Sequence, residues 1–230
     1  MPKKTPAKPR ATAPRARGIF ITFEGIEGSG KSTQCRSLAQ WLRNQGYHVL
    51  ETREPGGTAV AEQLRACLLT RQDEVLTPWS EALIVLAARS QHVEHVIRPA
   101  LEMGSIVLCD RYADSTLAYQ GAGRGLDMTL LAKLNQAAAS RTMPDLTFLL
   151  DLPVDTGLQR RHHNQMEINR IDAESLHFHE RVRKGFRALA RRAPTRIRVI
   201  AAQRLPDVIS REIERVTGTY LASHRPRTQI

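Results

Sequence analysis

The stretch GIEGSGKST, residues 25–33, contains the first residues whose types and spacing point to chemistry. It fits the pattern G-x-x-x-x-G-K-[ST], in which glycines let the backbone bend closely around phosphate groups. Backbone N–H groups and the positive end of the following helix supply an anion site. We expect Lys31 to reach the β- and γ-phosphates of a nucleoside triphosphate and the Ser32 hydroxyl to bind Mg²⁺. The predicted nucleotide-binding residues are Gly25, Ile26, Glu27, Gly28, Ser29, Gly30, Lys31, Ser32 and Thr33.

The loop alone does not identify the acceptor of a phosphoryl group, because kinases, GTPases and mechanical ATPases share it. Two polar stretches, TREPGGT (52–58) and CDRYADSTLAYQGAGRG (109–125), each follow an apolar run. Their charges should meet at the carboxyl edge of a parallel sheet, where open α/β proteins bind ligands. Asp110 has the position of an acid that holds Mg²⁺ or its water. Arg89 lies in a long apolar helix and needs a polar partner there.

The elements that must position these residues indicate an α/β fold with a parallel sheet. The strand candidates are GIFITFEG, YHVLETREPGG, SIVLCDRY, DLTFLLDLP and RIRVIAA. The helix candidates are STQCRSLAQWLRNQG, AVAEQLRACLLT, SEALIVLAARSQHVEHVIRPALEMG, segments within about 115–140, helices flanking a charged stretch at about 160–174, and LPDVISREIERVTGTYLASH. Strands that alternate with helices predict one doubly wound domain over residues 18–222, without an internal repeat.

The segment before this domain has a different composition. Residues 1–17 contain six of the 34 Lys and Arg residues, four prolines and no acid, which favours a basic disordered arm. About half of the net charge of +11 belongs to this arm, and no aromatic-interleaved basic motif accompanies it. Nucleic-acid binding is therefore the weaker interpretation of the charge. Residues 223–230 are expected to form a C-terminal tail.

The cysteines and the apolar runs argue against several classes of protein. Cys35, Cys67 and Cys109 are odd in number and widely spaced, which favours packing roles in a reducing cytosol over disulfides or a zinc site. No run approaches the roughly 20 apolar residues of a spanning helix. No apolar segment follows the N-terminal charges as in a secretory signal. We therefore expect a cytoplasmic protein without a membrane partner.

Together the motifs resemble those of the thymidylate kinase family over nearly the whole chain beyond the arm. The stretches that carry the resemblance are FITFEGIEGSGKSTQ, TREPGGT, AARSQHVEHVIRPAL, DRYADSTLAYQGAGRGL, PDLTFLLDLPVDTGLQRR and NRIDAES. The resemblance implies a P-loop nucleoside monophosphate kinase fold, with a five-stranded parallel sheet surrounded by helices and a mobile lid. It further implies that a homodimeric enzyme transfers the γ-phosphoryl group of MgATP to dTMP, giving dTDP and ADP in dTTP synthesis.

The resemblance also implies roles for residues that handle phosphates. Glu27 is expected to contact the 3′-hydroxyl of the acceptor, and Arg53 and Arg111 to clamp the dTMP phosphate. Two guanidinium groups there would screen the repulsion between two anions. The implied metal-binding residues are Ser32, Asp110 and Glu54. The implied catalytic residues are Glu27, Lys31, Arg111, Arg161 and Arg170.

For the nucleoside part of dTMP, the resemblance implies that Arg89 and Gln120 read the thymine edge. Tyr119 would lie against the sugar, where a 2′-hydroxyl would clash, and Glu54 and Ser115 are further expected substrate contacts. Structural alternatives stay open for these residues: the arginines can be ion-paired within the fold, and a tyrosine at helical spacing is often a core residue. Glu27 can likewise serve only to cap the loop.

One departure from the family pattern concerns the thymine pocket. Family members often place an aromatic residue four positions before the AAR arginine, and here that position is Val85. An aromatic stack contributes roughly 0.5–1.5 kcal/mol, so its loss would weaken dTMP binding about tenfold at most. A kinase with relaxed acceptor choice, for dUMP or a deoxynucleoside, is one alternative. A non-catalytic nucleotide-binding regulator is the other, and the intact phosphate loop argues against it.

The second departure concerns the charge on the transferring phosphoryl group. One branch of the family carries an arginine in the phosphate loop, whereas this chain has Gly28, as in the branch with lid arginines. The lid is expected at residues 160–172. Arg161 or Arg170 is expected to close over the phosphates, with Arg161 slightly favoured. The adjacent histidines 162–163 have no acid or cysteine at ligand spacing, and a solvated basic helix end is the alternative.

Overall fold

The predicted sheet is present in a computed structural model, which describes residues 17–70, 74–163 and 169–224, without the side chains of residues 162 and 163. Its five strands are all parallel and lie in the order β2-β3-β1-β4-β5. They are β1 (Phe20–Glu24), β2 (Val49–Arg53), β3 (Ile106–Asp110), β4 (Leu146–Asp151) and β5 (Ile197–Ala201). Because the strands are parallel, the loops that follow β1, β2 and β3 open at the same edge of the sheet, where such folds bind ligands.

Helices surround this sheet as the sequence predicts. They are α1 (Lys31–Asn44), α2 (Ala59–Leu69), α3 (Pro78–His92), α4 (Arg98–Glu102), α5 (Ala113–Thr116), α6 (Met128–Ala138), α7 (Val154–His163), α8 (Leu176–Arg192) and α9 (Pro206–His224). Two π-helical segments, Val93–Ile97 and Leu117–Gly123, continue α3 and α5. None of the described helices is long and apolar enough to cross a membrane. α9 continues to His224, past the domain boundary expected at residue 222.

The core lies on both faces of the sheet, as alternation along a buried strand requires. In β1, Ile21 and Phe23 belong to the cluster that includes residues of α1, α8 and α9, whereas Phe20 belongs to the cluster beneath α4. Cys35 and Cys109 are buried in these two clusters, and burial raises the pKa of both thiols. All three cysteines are free. The sheet is thus a rigid base for the loops at its carboxyl edge.

The ends of the chain lie mostly outside this description. Residues 1–16, most of the expected basic arm, and residues 225–230, most of the expected tail, are not described. Arg17 lies 3.6 Å from Asp145 through its Nη1 atom and the carboxylate Oδ1. Within the expected lid, residues 164–168 also lie outside the described part of the chain.

Candidate active site

The phosphate loop joins the buried end of β1 to the start of α1. Gly28 and Gly30 have φ angles of 69° and 90°, a left-handed conformation that glycine adopts without steric cost. The Lys31 ammonium folds back over the loop and donates to the Ile26 carbonyl at 2.7 Å and to Ser29 Oγ at 3.3 Å. Burial and then the nearby Arg111 guanidinium lower the pKa of Lys31 to about 8. The loop is therefore preformed around a buried cation, with the geometry that the motif predicts.

Ser32 and Asp110 meet beside this loop. β1 pairs with β3 so that Phe23 is opposite Asp110, and this register brings the Asp110 carboxylate to the first turn of α1. The Ser32 hydroxyl donates to Asp110 Oδ2. Among the described residues, no group of three or more His, Cys, Asp or Glu could hold a metal ion. A hard cation bound here would take its other ligands from phosphate oxygens and water, as Mg²⁺ usually does.

Glu27 is the point where the loop meets the rest of the site. Its Oε1 atom accepts hydrogen bonds from Arg111 Nη2 at 2.8 Å and from the Tyr119 hydroxyl at 2.6 Å. Arg111 also donates to the Gly25 carbonyl at 2.8 Å, so its guanidinium is fixed against the loop. Burial raises the pKa of Glu27, but Arg111, His179 and other neighbours outweigh burial and hold the pKa below its ordinary value. Glu27 is therefore ionised at neutral pH.

A cavity of about 100 Å³ opens next to Glu27. Seven predicted substrate-contacting residues line it together with Val85. They are Glu27, Glu54, Arg89, Arg111, Ser115, Tyr119 and Gln120. Aliphatic side chains of Leu68, Leu69 and Ile171 complete part of the wall. The structure thus brings together residues as far apart in the sequence as Glu27 and Ile171.

Arg53, the other predicted clamp, lies in a different place. Its side chain is 47% exposed and is paired with Glu62 at 3.0 Å. It lines a neighbouring cleft that also contains Ser32 and Asp110. Besides Arg89 and Arg111, the cavity wall contains Arg65, which donates to the Pro55 carbonyl at 2.8 Å. Sequence reasoning missed Arg65 because a single arginine in an amphipathic helix resembles an ordinary surface residue.

Glu54 and Arg89 form a buried ion pair in the cavity wall. Arg89 Nε lies 2.8 Å from Glu54 Oε2, and His92 Nδ1 lies 3.1 Å from Glu54 Oε1. Arg89 also donates to Thr116 Oγ1 at 2.9 Å and to Asn135 Oδ1. The sequence predicts Glu54 as a metal ligand, but both of its oxygens already contact Arg89 and His92. In this arrangement Glu54 holds the Arg89 guanidinium in the cavity wall, and its expected contact with a metal stays a prediction.

Glu81 is a functional candidate that the sequence did not reveal. It is fully buried and accepts hydrogen bonds from Gln120 Nε2 at 2.8 Å, Arg124 Nη2 at 3.0 Å and Arg170 Nη2 at 2.7 Å. Burial raises the pKa of Glu81, but the hydrogen bonds from Arg124, Gln120 and Arg170 lower it by more than burial raises it. The net pKa is therefore below the ordinary value of a glutamate. In the sequence, Glu81 resembles any acid in the first turn of a helix. Here it ties a predicted thymine contact to a predicted lid arginine.

The predicted lid arginines are both paired with carboxylates. Arg170 donates to Glu81 and, through Nε, to the carbonyl of the cavity residue Leu68 at 2.9 Å. Arg161 donates to Asp172 Oδ2 from Nε at 3.1 Å and from Nη2 at 2.7 Å. To bind a phosphate, each arginine would therefore have to leave the carboxylate with which it is paired here.

Helix α7, whose last residues belong to the expected lid, rests directly on the phosphate loop. A Cβ atom added to Gly28 would lie 2.1 Å from the Gly157 carbonyl oxygen, and one added to Gly157 would lie 2.5 Å from the Glu27 carbonyl oxygen. Contacts below 3 Å are incompatible with a side chain unless one backbone moves. The first turn of α7 and the loop can approach this closely only because both residues are glycine.

Comparison with known proteins gives a consistent result. The sequence model of the family described as thymidylate kinase matches residues 23–213. A thymidylate kinase of Thermomicrobium roseum is 56% identical over 191 residues, covering 83% of this chain and 90% of that protein. One of Desulfovibrio desulfuricans is 49% identical over 209 residues, covering 88% of this chain and 96% of the other. The crystal structure of thymidylate kinase from Ehrlichia chaffeensis has a TM-score of 0.71 and 37% identity, covering 87% and 99% of the two chains. Matches of this extent, over the residues that build the sheet and the cavity, show that this chain belongs to the thymidylate kinase family.

Proposed function

We propose that this chain phosphorylates dTMP with ATP in one continuous site, formed by the phosphate loop and the cavity beside it. The observation that carries this proposal is the position of Glu27, which belongs to the loop and also lines the cavity. An acceptor in the cavity would therefore lie against the loop that holds the donor. dTDP and ADP are the products of this transfer.

The transfer needs charge and positioning more than covalent chemistry. Two anionic substrates must approach each other, and Lys31 and Arg111 flank the point where they would meet. Arg111 is already fixed by the Gly25 carbonyl and by Glu27, so little reorganisation is needed when negative charge develops. Arg65, in the same cavity wall, is a further cation for the acceptor phosphate. Arg53 could bind the dTMP phosphate only if its ion pair with Glu62 opened.

Mg²⁺ suits the oxygen donors of Ser32 and Asp110, and these two residues would hold it. When bound, Mg²⁺ would neutralise charge on the β- and γ-phosphates. The hydrogen bond between the two side chains keeps both oxygens at the mouth of the loop. Glu54 is left to orient Arg89.

Thymine recognition follows from the bonds that Arg89 and Gln120 already make. Because ionised Glu81 can only accept, Gln120 must present its amide nitrogen to Glu81. Its carbonyl oxygen then remains for a donor, and thymine offers one at N3–H. Arg89 can only donate, which suits the O4 acceptor. Val85 lies one helical turn before Arg89 and lines the same cavity, so the base would pack there on an aliphatic side chain.

Of the two lid arginines, the geometry favours Arg161 for the transferring phosphoryl group. Arg161 lies four residues after Gly157 in α7, on the helix face that contacts the phosphate loop. Arg170 is held at the cavity by Glu81. We expect Arg161→Ala to lower kcat by about 10³-fold, the effect of comparable arginines elsewhere. Arg170→Ala should chiefly raise the KM for dTMP. Near-normal kcat in both variants would refute the lid proposal.

A homodimer is part of the proposal as well. Exposed apolar side chains on α2 and α3 support it, namely Val60, Trp79 and Leu83. An apolar surface on adjacent helices is typical of an interface between subunits. Light scattering coupled to gel filtration tests this, and a monomer at micromolar concentration would contradict it.

The test of the function is the release of ADP with MgATP and a panel of acceptors: dTMP, dUMP, dCMP, dGMP, UMP and thymidine. Strong preference for dTMP would support the roles of Arg89, Gln120 and Tyr119 and show that Val85 is tolerated. Turnover of dCMP at a similar rate would refute the proposed reading of the thymine edge, because cytosine has neither N3–H nor O4. Turnover of thymidine at a similar rate would refute the proposed role of the 5′-phosphate.

A further inference from the structure

His179 on α8 faces Glu27 of the phosphate loop, and its ring nitrogens are buried without a hydrogen bond among the described residues. Its side chain is 1% exposed, and neither ring nitrogen has a hydrogen-bond partner in the described part of the chain. Its Nδ1 atom lies 3.4 Å from Oε2 of Glu27, which also lacks a hydrogen bond. The other oxygen of the same carboxylate accepts bonds from Arg111 and Tyr119. Buried polar atoms are nearly always paired, so two unpaired ones that face each other indicate a bond that closes in another state of the site.

The packing of α8 holds His179 in this position. α8 lies close to the π-helical segment Leu117–Gly123, and glycines permit the approach. A Cβ atom on Gly123 would lie 2.8 Å from the Phe178 ring, and one on Gly185 would lie 2.6 Å from Ala122 Cβ. The neighbouring Phe178 packs its ring edge-on to that of Tyr119, with 6.2 Å between the centroids. His179 therefore cannot move far from Glu27 without disturbing this contact.

A packing role alone does not explain a histidine here. An apolar side chain would fill the same space without burying two unpaired nitrogens, which is unfavourable. Glu27 is ionised and can only accept, so the nitrogen that faces it must be the protonated Nδ1. Held at one oxygen only, the Glu27 carboxylate retains freedom to rotate about its terminal carbon–carbon bond. A bond to the second oxygen would remove that freedom.

We propose that His179 is a positioning residue for phosphoryl transfer: its Nδ1–H bonds Oε2 of Glu27 when the acceptor is bound and thereby fixes the carboxylate that contacts the acceptor's 3′-hydroxyl. The inference rests on the proposed contact between Glu27 and that hydroxyl. It extends the site by an element, α8, that none of the sequence motifs includes. His179 acts through Glu27 and does not itself touch the substrates.

The experiment compares two acceptors, dTMP and its 3′-deoxy analogue, with MgATP as the donor. His179→Phe keeps a planar ring and removes both nitrogens, and His179→Asn keeps an N–H donor near the position of Nδ1. We expect His179→Phe to lower kcat/KM about tenfold for dTMP and to leave the value for the 3′-deoxy analogue nearly unchanged. His179→Asn should recover most of the loss. The matched control is His177→Phe, because His177 is exposed on the same helix.

Glu27→Gln separates the two levels of the argument. If this variant distinguishes the two acceptors and His179→Phe lowers both equally, His179 is only structural and the inference is overturned, while the role of Glu27 stands. If Glu27→Gln affects both acceptors equally, the proposed role of Glu27 fails and the inference fails with it. Thermal unfolding confirms that each variant folds. Should His179→Phe not fold, His179→Leu takes its place in the same comparison.

Discussion

Removing the charge of Glu81 should destabilise the fold and weaken the acceptor site together. Glu81→Gln keeps the shape of the side chain but leaves Arg124 and Arg170 without their shared carboxylate. Gln120 also loses the ionised acceptor that orients its amide. Three contacts, two from neighbouring residues and one from Arg170, therefore depend on one buried carboxylate.

The magnitude follows from the burial of the partners. The Glu81 side chain is 0% exposed, whereas those of Arg124 and Arg170 are 17% and 16% exposed. Breaking a buried ion pair costs about 3–5 kcal/mol, and two partly solvated arginines put the cost near the lower value. At 2–4 °C per kcal/mol for a chain of this size, Tm should fall by roughly 6–12 °C. The KM for dTMP should rise while that for ATP changes little.

The assay is thermal unfolding followed by circular dichroism, with Glu94→Gln as the control. Glu94 pairs with Arg98 on the surface and is 48% exposed, so its loss should cost less than about 1 kcal/mol. Because the folded pKa of Glu81 is below its ordinary value of 4.5, its contribution is present above pH 4.5 and is lost as pH falls. The difference between wild type and Glu81→Gln should therefore shrink in acid. A Tm loss no larger than that of Glu94→Gln at pH 7 would refute the reasoning.

Three other predictions concern the loop and its surroundings. Gly157→Ala should raise the KM for ATP at least about fivefold, because the added Cβ would push α7 off the loop. The control is Gly218→Ala, whose Cβ would meet only Trp41 at 3.7 Å and should leave the KM unchanged. Equal KM values for the two variants would contradict the contact between α7 and the loop. Ser32→Ala should raise the Mg²⁺ concentration for half-maximal activity, as a titration of ADP release would show. Burial and then Asp114 raise the pKa of Glu24 to about 8, so its contribution to stability is complete below pH 4.5 and is lost as pH rises through 8. Between pH 7 and 9, the Tm of Glu24→Gln should therefore fall less than the Tm of the wild type. If the two Tm values fell in parallel with pH, the raised pKa of Glu24 would be contradicted.

The sequence predicts well those parts of the site that depend on local order. The phosphate loop, the five strands and the residues at their carboxyl ends follow from apolar runs interrupted by glycine and charge. Arg111 illustrates this, because its position after β3 places it beside the loop whatever else the fold does. Val85 likewise lies in the cavity wall one turn before Arg89, as the helix spacing requires.

What the sequence does not predict are contacts between distant segments. Glu81 and Arg170 are 89 positions apart, and nothing near either residue reveals the pairing. The bond between Glu54 and Arg89 redirects an acid that the family pattern assigns to the metal. Arg65 lines the cavity and Arg53 does not, because the end of β2 and one face of α2 point in different directions. The local sequence pattern does not predict these directions. Burial of a charged residue is a property of the assembled fold.

The contact between Gly28 and Gly157 restricts how this enzyme can evolve. With φ of 69° and a carbonyl oxygen 2.1 Å from where a Cβ would lie, position 28 has no room for a side chain while α7 rests on the loop. An arginine could enter the loop only if the lid helix were rebuilt in the same step. If a lid arginine supplies the cation to the transferring phosphoryl group, as proposed, this contact separates it sterically from an arginine in the loop. A lineage that keeps the contact would then also keep the lid arginine.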